Sequence, residues 1–304
     1  MDAIDLFAGL GGFSTGATLA GITVKWAANH WQDAVAWHRR NHPETKHNCQ
    51  DLQQADWSQV PRTSMLLAAP CCHGHTPARG KDRPHHDVSR STAWAVVSAV
   101  EYHRHDIVVV ENVPGFIRWS LYPAWHQAMA DLGYQLAPHI LDAADYGVPQ
   151  HRKRLFIVAT RGRHPLFLHL EPEPHIPARS FIDLQEGRWQ PIDKPGRSPA
   201  TLRRVRNGRK RFGDTFIMPF YSSGSGLTGR SLDRPIGTIP TRDRWAIVHG
   251  DKMRMINRFE CRDGMSFPQN HHIPDDHRLA VHLLGNSVCP EAARRLLNAI
   301  REAA

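Results

Sequence analysis

The chain has 304 residues, 41% hydrophobic and 22% charged, so it can bury a substantial core and is not a disordered polypeptide. Lysine and arginine exceed aspartate and glutamate by 38 − 29 = 9, which favours a polyanionic partner such as nucleic acid, although a ribosome-associated or merely soluble basic protein has the same balance. No stretch approaches the roughly 20 apolar residues of a membrane span, and the N-terminus runs directly into a strand pattern rather than an export signal. We therefore expect a cytoplasmic protein that does not enter a membrane.

The cysteines predict neither a disulfide framework nor a zinc site. There are five, an odd number, without any repeated C-x-x-C spacing. Two of them are adjacent and could not readily pair with each other. The sequence therefore predicts no bound metal. The five are Cys49, Cys71, Cys72, Cys261 and Cys289.

Short apolar runs alternate with amphipathic stretches through the first half of the chain. Predicted strands cover residues 3–7, 22–27, 64–68 and 106–110, and each ends in polar or glycine-rich residues. This alternation is typical of a doubly wound α/β domain. Because ligands of an open parallel sheet bind beyond the carboxyl ends of its strands, those terminal residues are the candidates for chemistry.

A change of composition after a further predicted strand, residues 155–159, indicates a second domain. From about residue 164 the chain is rich in Pro, Gly, Ser and Arg, with short β-like pieces. We predict a large domain of residues 1–163, completed by residues 276–304 with their helical pattern, and a small, mainly β or irregular domain of residues 164–275. The segment from Phe181 to Arg230 contains ten basic and four acidic residues. Much of the excess positive charge therefore lies in the predicted small domain.

Two turns at predicted strand ends could bind or react. Asp5 to Phe13 carries Gly9, Gly11 and Gly12, which allow a ligand to approach the backbone closely, but the dinucleotide pattern G-x-G-x-x-G fails at Ser14. A tight turn without a ligand fits equally well. The second turn, residues 69–76, contains two cysteines among Pro, Gly, His and Thr. A cysteine there is either a buried filler or a nucleophile facing a cleft.

Two further segments carry charged groups next to apolar strands. Glu111 directly follows three valines, so burial is expected to raise its pKa and let it hold or donate a proton, unless it caps a helix or pairs with a cation. Gln150, Arg152 and Arg154 alternate along the chain before an apolar run. In an extended strand these three side chains share one face.

The four segments occur in a fixed order, and the chain resembles the cytosine-5 DNA methyltransferases over nearly its whole length. The similarity continues through residues 233–239, Phe267-Pro268 and residues 285–290. The resemblance implies a Rossmann-like, S-adenosylmethionine-dependent methyltransferase sheet, with a smaller target-recognition domain. It also implies double-stranded DNA as the partner, and we expect a monomer.

The resemblance also implies a cofactor site. Asn29 stands where the family usually has a Glu that binds the ribose hydroxyls, and an Asn can make some of those bonds only without charge assistance. Trp31 is placed to stack on the adenine. The implied cofactor-binding residues are Phe7, Ala8, Gly9, Leu10, Gly11, Gly12, Asn29, His30, Trp31, Asp51, Leu52, Pro70, Asn286 and Ser287.

The family nucleophile lies in a Pro-Pro-Cys-Gln-Gly-aromatic-Ser pattern. Placing Gly74-His75-Thr76 on its last three positions makes Cys72 the nucleophile and puts His73 in place of Gln. Aligning on Pro-Cys instead selects Cys71, but displaces everything from Gly74 onward. We favour Cys72.

By the same resemblance, Cys72, Glu111, Arg152 and Arg154 form the catalytic set. Cys72 adds to C6 of a flipped-out cytosine, Glu111 holds N3 and the exocyclic amine, and Arg152 contacts O2. Two other readings remain open: a tRNA cytosine-5 methyltransferase, although the Cys-Phe-Thr tripeptide of that branch is absent, and a catalytically silent DNA-binding relative. The residues expected to contact DNA are Arg79, Arg203, Arg204, Arg206, Arg209, Lys210 and Arg211.

Overall fold

The computed structural model describes residues 1–71, 91–162, 164–220 and 228–303, which form two compact units. The first unit comprises Met1–Asp142, Lys153–Pro172 and Ser287–Ala304, and the second comprises Ala143–Arg152 and Glu173–Asn286. These limits differ from the predicted ones in three places: residues 143–152 and 276–286 belong to the second unit, and residues 164–172 belong to the first.

The first unit is built on a seven-stranded sheet with the strand order β3-β2-β1-β4-β5-β7-β6. Strands β1 to β5 are parallel, whereas β7 pairs antiparallel with both β5 and β6. This arrangement confirms the predicted α/β fold. The strands are β1 (Asp2–Leu6), β2 (Thr23–Asn29), β3 (Lys46–Cys49), β4 (Met65–Ala68), β5 (Ile107–Asn112), β6 (Tyr134–Asp142) and β7 (Lys153–Arg161).

The strands carry apolar side chains on both faces of the sheet, and helices pack on the sheet to bury them. On one face, Ile4, Leu6 and Val108 contact a core that includes Val96 and Trp125, which belong to two of the helices. The helices that precede the second unit are α1 (Gly12–Leu19), α2 (Gln32–Asn41), α3 (Trp94–His103) and α4 (Tyr122–Asp131).

The second unit has a four-stranded antiparallel sheet and a basic helix packed on it. Val205 of that helix and Phe216, Met218 and Val248 of the sheet share one apolar core. The strands, in the order β8-β11-β10-β9, are β8 (Gln190–Pro191), β9 (Thr215–Pro219), β10 (Trp245–His249) and β11 (Lys252–Met255). The helices are α5 (Pro199–Phe212), α6 (Arg258–Gly264) and α7 (His277–Asn286).

The last helix, α8 (Pro290–Ala303), returns to the first unit and packs on α1. The two helices approach closely at Gly16, where a Cβ atom would lie 2.6 Å from Cβ of Ala293 and 2.7 Å from the carbonyl oxygen of Pro290. Only glycine fits this crossing without displacement. The C-terminus therefore helps to hold α1, the helix that follows the glycine turn. No helix of the described segments is both long and apolar enough to cross a membrane.

Candidate active site

The parallel strands bring the predicted site segments of the first unit to one edge of the sheet. Hydrogen bonds continue the strand pairing past the strand ends: Ala8 N–H donates to the Ala28 carbonyl, and Ala69 N–H donates to the Leu6 carbonyl, each at 3.1 Å. The glycine turn therefore lies between the ends of β2 and β4. This is the edge where open α/β sheets bind ligands.

The glycine turn has a conformation that favours glycine. Gly9 and Gly11 have φ angles of +56° and +96°, and Phe7 has a φ angle of +62°. A positive φ is uncommon for a bulky side chain, and such strained residues concentrate at ligand sites. Gly11 also lacks space for a side chain, because a Cβ atom would lie 2.8 Å from Nε2 of His42. Phe7 and Gly9 are the partly exposed residues of the turn, where a cofactor could approach, whereas the Leu10 side chain is fully buried.

Asn29, at the end of β2, organises the turn that follows it. Its Oδ1 accepts a hydrogen bond from Trp31 N–H at 3.0 Å, and its carbonyl oxygen accepts from Gln50 N–H at 3.1 Å. The amide oxygen thus holds the turn, although it keeps a second lone pair, and Nδ2 is the other polar group of this side chain. His30 is exposed and Trp31 is half-buried.

Asp51 and Leu52 follow β3 at the same edge. The exposed Asp51 caps a short helical turn, with Oδ1 accepting from Gln53 N–H at 3.0 Å. Leu52 is 2% exposed and belongs to the core, so its backbone rather than its side chain is available to a ligand.

Asn112 links the ends of β4 and β5, a role that the sequence analysis missed. Its Nδ2 donates to the Pro70 carbonyl at 3.1 Å, and its Oδ1 accepts from Val113 N–H at 2.9 Å. Cys71 N–H donates to Oγ1 of Thr92 at 3.1 Å. These bonds fix the start of the Pro-Cys turn. The predicted nucleophile at position 72 and the predicted DNA contact at position 79 lie outside the described residues.

Glu111 forms an ion pair with Arg154 at this edge. Nε of Arg154 lies 3.1 Å from Oε1 of Glu111, which is only 7% exposed. Glu111 of β5 pairs with Phe156 of β7. Arg154 lies near the start of the same strand β7, so its side chain can reach Glu111. Glu111 therefore pairs with a cation, which is one of the alternatives that its sequence position left open.

The structure does not place Gln150, Arg152 and Arg154 on one strand face as predicted. Strand β7 begins only at Lys153, so the two earlier residues are not part of it. Arg152 is 3% exposed, and it donates from Nη1 to the Ile239 carbonyl at 3.1 Å and from Nη2 to the Gly285 carbonyl at 2.8 Å.

Gln150 makes matching bonds in the second unit. Its Oε1 accepts from Ile239 N–H at 2.7 Å, and its Nε2 donates to the Gly264 carbonyl at 3.0 Å. Both side chains thus satisfy buried backbone groups. The Arg152 guanidinium thus bonds to two backbone carbonyls of the second unit, and its contact with a substrate base stays a prediction.

Helix α5 presents basic side chains in the second unit. Ser198 caps its start, and Val205 and Gly208 face the sheet, where a Cβ at Gly208 would lie 2.2 Å from the Phe216 ring. The structure thus forms a 14-residue helix in a segment predicted to be β or irregular. The basic side chains differ in exposure: Arg203, Arg206, Lys210 and Arg211 are exposed, and Arg204 and Arg209 are half-buried.

Arg209 differs from its neighbours because acceptors already surround it. Its Nη2 donates to the Gly250 carbonyl at 2.7 Å and to Oδ1 of Asp251 at 2.8 Å. Arg203, Arg206 and Lys210 follow at helical spacings of three and four and therefore share one exposed face. We name these three residues the α5 basic stripe.

The last predicted cofactor residues lie where the two units meet along the chain. Asn286 is exposed and ends α7 in the second unit, whereas Ser287 is 5% exposed and begins the C-terminal segment of the first unit.

Three histidines behind the glycine turn were also missed. The ring of His38 on α2 contacts the ring of His42, which follows the end of α2, and the ring of His47 of β3. Burial raises the pKa of nearby Asp5 to about 7 despite the hydrogen bond from Ser14, and it lowers the pKa of His42 to about 4. The i, i+4 histidine spacing was the available sequence signal. The described part of the chain has no group of such residues that could hold a metal ion.

Comparison with known proteins identifies the family. The model of the C-5 cytosine-specific DNA methylases matches residues 1–203. The chain is 31% identical over 269 residues to the type II methyltransferase M.MthTI of Methanothermobacter thermautotrophicus, which covers 84% of this chain and 77% of that protein. It is 30% identical over 166 residues to the type II methyltransferase M.HgiDI of Herpetosiphon aurantiacus, about half of each protein. A crystal structure titled as a putative DNA modification methyltransferase of an E. coli prophage has a similar fold, with a TM-score of 0.74, 19% identity and 99% coverage of both chains. The chain therefore belongs to the C-5 cytosine-specific DNA methylase family.

Proposed function

We propose that this protein transfers a methyl group from S-adenosylmethionine to C5 of a cytosine in double-stranded DNA. The observation that carries the proposal is the buried Glu111–Arg154 pair at the carboxyl end of β5. It lies beside the start of the Pro-Cys turn, which Asn112 ties to the same strand end. A carboxylate and a guanidinium together can recognise the N3, amino and O2 groups of a cytosine.

Cytosine C5 is a weak nucleophile, so the ring requires activation. In the proposed reaction the Cys72 thiolate adds to C6, and Glu111 stabilises the charge that develops at N3. Arg154, rather than Arg152, contacts O2. After C5 has been methylated, a base removes the C5 proton, the C5–C6 double bond re-forms and the Cys72 thiolate leaves. These groups cannot reach a stacked base, so the cytosine is flipped out of the duplex.

The cofactor fits the edge formed by the glycine turn and the ends of β2 and β3. Gly9 has a positive φ angle, is partly exposed and leaves backbone that a ligand can approach, whereas Gly11 packs against the histidines behind the turn. Asn29 would donate from Nδ2 to a ribose hydroxyl, and Trp31 would stack on the adenine. When bound, the cofactor supplies an electrophilic methyl group.

The second unit would hold and read the DNA. The α5 basic stripe suits phosphate contacts, since its three cations share an exposed face. Phosphate contacts fix the position of a duplex, whereas the recognised sequence depends on contacts with base edges.

Transfer of tritium from labelled S-adenosylmethionine tests the proposal, with double-stranded DNA and tRNA as alternative substrates. We expect labelling of DNA only, and bisulfite sequencing of plasmid from expressing cells would then give the site. Labelling of tRNA alone, or DNA binding without any transfer, would refute the proposal.

The adjacent cysteines provide a matched pair of variants. Cys72→Ser is expected to abolish transfer, whereas Cys71→Ser should retain most of it. If the Cys72→Ser protein is still trapped covalently by a fluorocytosine duplex, Cys71 is the nucleophile.

A further inference from the structure

A chain of hydrogen bonds runs behind the glycine turn and joins four elements of the first unit. Oγ of Ser14 in α1 donates to Oδ2 of Asp5 in β1 at 2.6 Å. The same oxygen lies 3.0 Å from Nε2 of His38 in α2, and Nδ1 of His38 lies 2.8 Å from Nε2 of His47 in β3. Asp5 and Ser14 are fully buried and His38 is 1% exposed.

The hydrogen bond from Ser14 to Asp5 sets the direction of the bonds that follow. The Ser14 hydroxyl has one hydrogen, and while it donates that hydrogen to Asp5 it can only accept from Nε2–H of His38. A neutral His38 then has its lone pair on Nδ1, which accepts from Nε2–H of His47. Burial and the neighbouring Arg39 lower the pKa of His47 and thereby favour its neutral form. Each donor in this series of hydrogen bonds therefore points toward Asp5.

The histidine side chains lie against the glycine turn at Gly11. A Cβ atom there would lie 3.2 Å from Cδ2 of His38 and 2.8 Å from Nε2 of His42. His42 in turn lies 3.1 Å from Oγ1 of Thr15 through Nε2, and its ring centroid is 4.6 Å from that of His38. The backbone of Gly11 therefore packs directly against rings whose positions the hydrogen bonds fix.

We propose that His38 is a positioning residue, which the bond to Ser14 holds against Gly11 so that the glycine turn keeps the conformation that binds S-adenosylmethionine. The inference rests on the proposed function, because it assumes that the turn receives this cofactor. His38 itself lies behind the turn and touches no reacting atom. Its loss should therefore weaken cofactor binding and raise KM for the cofactor more than it lowers kcat.

Two substitutions of His38 separate positioning from packing. His38→Gln places an amide N–H near the position of Nε2 and can still donate to Ser14, whereas His38→Leu fills the space without a donor. We expect His38→Leu to bind S-adenosylmethionine about tenfold more weakly by calorimetry, the effect of one buried hydrogen bond, and His38→Gln to remain within about threefold of wild type. Equal losses in the two variants would overturn the proposal.

His105 provides the matched control. It is also 1% exposed, and its Nδ1–H donates to the Thr63 carbonyl at 2.7 Å, but it lies just before the amino end of β5, away from the turn. His105→Leu should lower the melting temperature and leave the cofactor Kd unchanged. If His105→Leu weakens binding as much as His38→Leu does, the effect is general destabilisation and the proposal fails.

Two further measurements keep the proposal testable if His38→Leu does not fold. Ser14→Ala removes the same link and should weaken cofactor binding to a similar extent; an unchanged Kd would overturn the proposal. Nitrogen-15 NMR of the wild-type protein should show His38 as the Nε2–H tautomer, and an Nδ1–H tautomer would also overturn it. Wild-type protein that binds the cofactor without methylating DNA would refute the proposed function alone.

Discussion

The buried carboxyl group of Asp5 should make the stability of this protein fall as the pH rises. Burial raises its pKa from 3.8 to about 7, although the Ser14 hydrogen bond acts in the opposite direction. Its Oδ1 is buried without a hydrogen-bond partner in the described part of the chain. Asp5→Asn keeps the size of the side chain and the oxygen that accepts from Ser14, but has no proton to lose.

The sign and size of the effect follow from the two pKa values. Between pH 4 and pH 7 the folded protein binds more protons at this site than the unfolded chain, so the free energy of unfolding decreases as pH rises through that window. The site is protonated in the folded state at pH 5 and ionised at pH 8. The two pH units from 5 to 7 correspond to about 2.7 kcal/mol.

Urea unfolding of both proteins at pH 5, 6, 7 and 8 tests this reasoning. Other titrating groups cancel when wild type and variant are compared at the same pH. Relative to wild type, Asp5→Asn should become more stable by about 2.7 kcal/mol from pH 5 to pH 8. A difference between the two proteins that does not change with pH, or that changes in the opposite direction, would refute the assignment of a raised pKa.

Three further predictions concern the candidate site and the basic helix. Glu111→Gln should lower single-turnover methylation by about 10²-fold or more with little change in melting temperature, as removal of a group acting in the transition state does; a destabilised variant with normal turnover would mean that the acid is structural. Arg206→Ala should weaken DNA binding and reduce its salt slope by about one unit, whereas Arg209→Ala should chiefly lower the melting temperature. If instead Arg206→Ala lowers the melting temperature and Arg209→Ala weakens DNA binding, the α5 basic stripe does not contact the DNA. Arg152→Ala should lower the melting temperature, since it leaves buried carbonyls unsatisfied, whereas Arg154→Ala should lower kcat in protein that remains folded. If instead Arg152→Ala lowers kcat and Arg154→Ala lowers the melting temperature, Arg152 is the arginine that contacts the base.

The strands and the glycine turn were predictable because their signals are local. The short apolar run Ile107 to Val110 is typical of a buried strand, and the observed strand, Ile107–Asn112, places Glu111 at its end as predicted. Gly9 and Gly11 adopt the positive φ angles that make glycine informative in a sequence. Parallel pairing then brings these segments together, since it aligns the carboxyl ends of the strands.

The histidine chain and helix α5 were not predictable in the same way. His38 contacts Ser14 and His47 only after α1, α2 and β3 have packed together, and a sequence read by itself does not give those neighbours. In α5 the many arginines conceal the apolar face, which consists of Leu202, Val205 and Phe212 with the small residues Thr201 and Gly208. Gly208, which ordinarily weakens a helix, is instead required by the Phe216 ring.

Arg152 and Arg154 have different surroundings because only Arg154 lies within strand β7. Alternation puts residues on one face only while the chain stays in a strand, and strand β7 begins where β6 offers a partner, at the pair Asp142 and Lys153. Before that point the chain belongs to the second unit, and its polar side chains satisfy the backbone there. Arg152 is used in this way, so Arg154, the first arginine inside β7, is the cation that reaches Glu111. The two arginines, equivalent in the sequence pattern, therefore have different partners, because one belongs to the second unit and the other to the first.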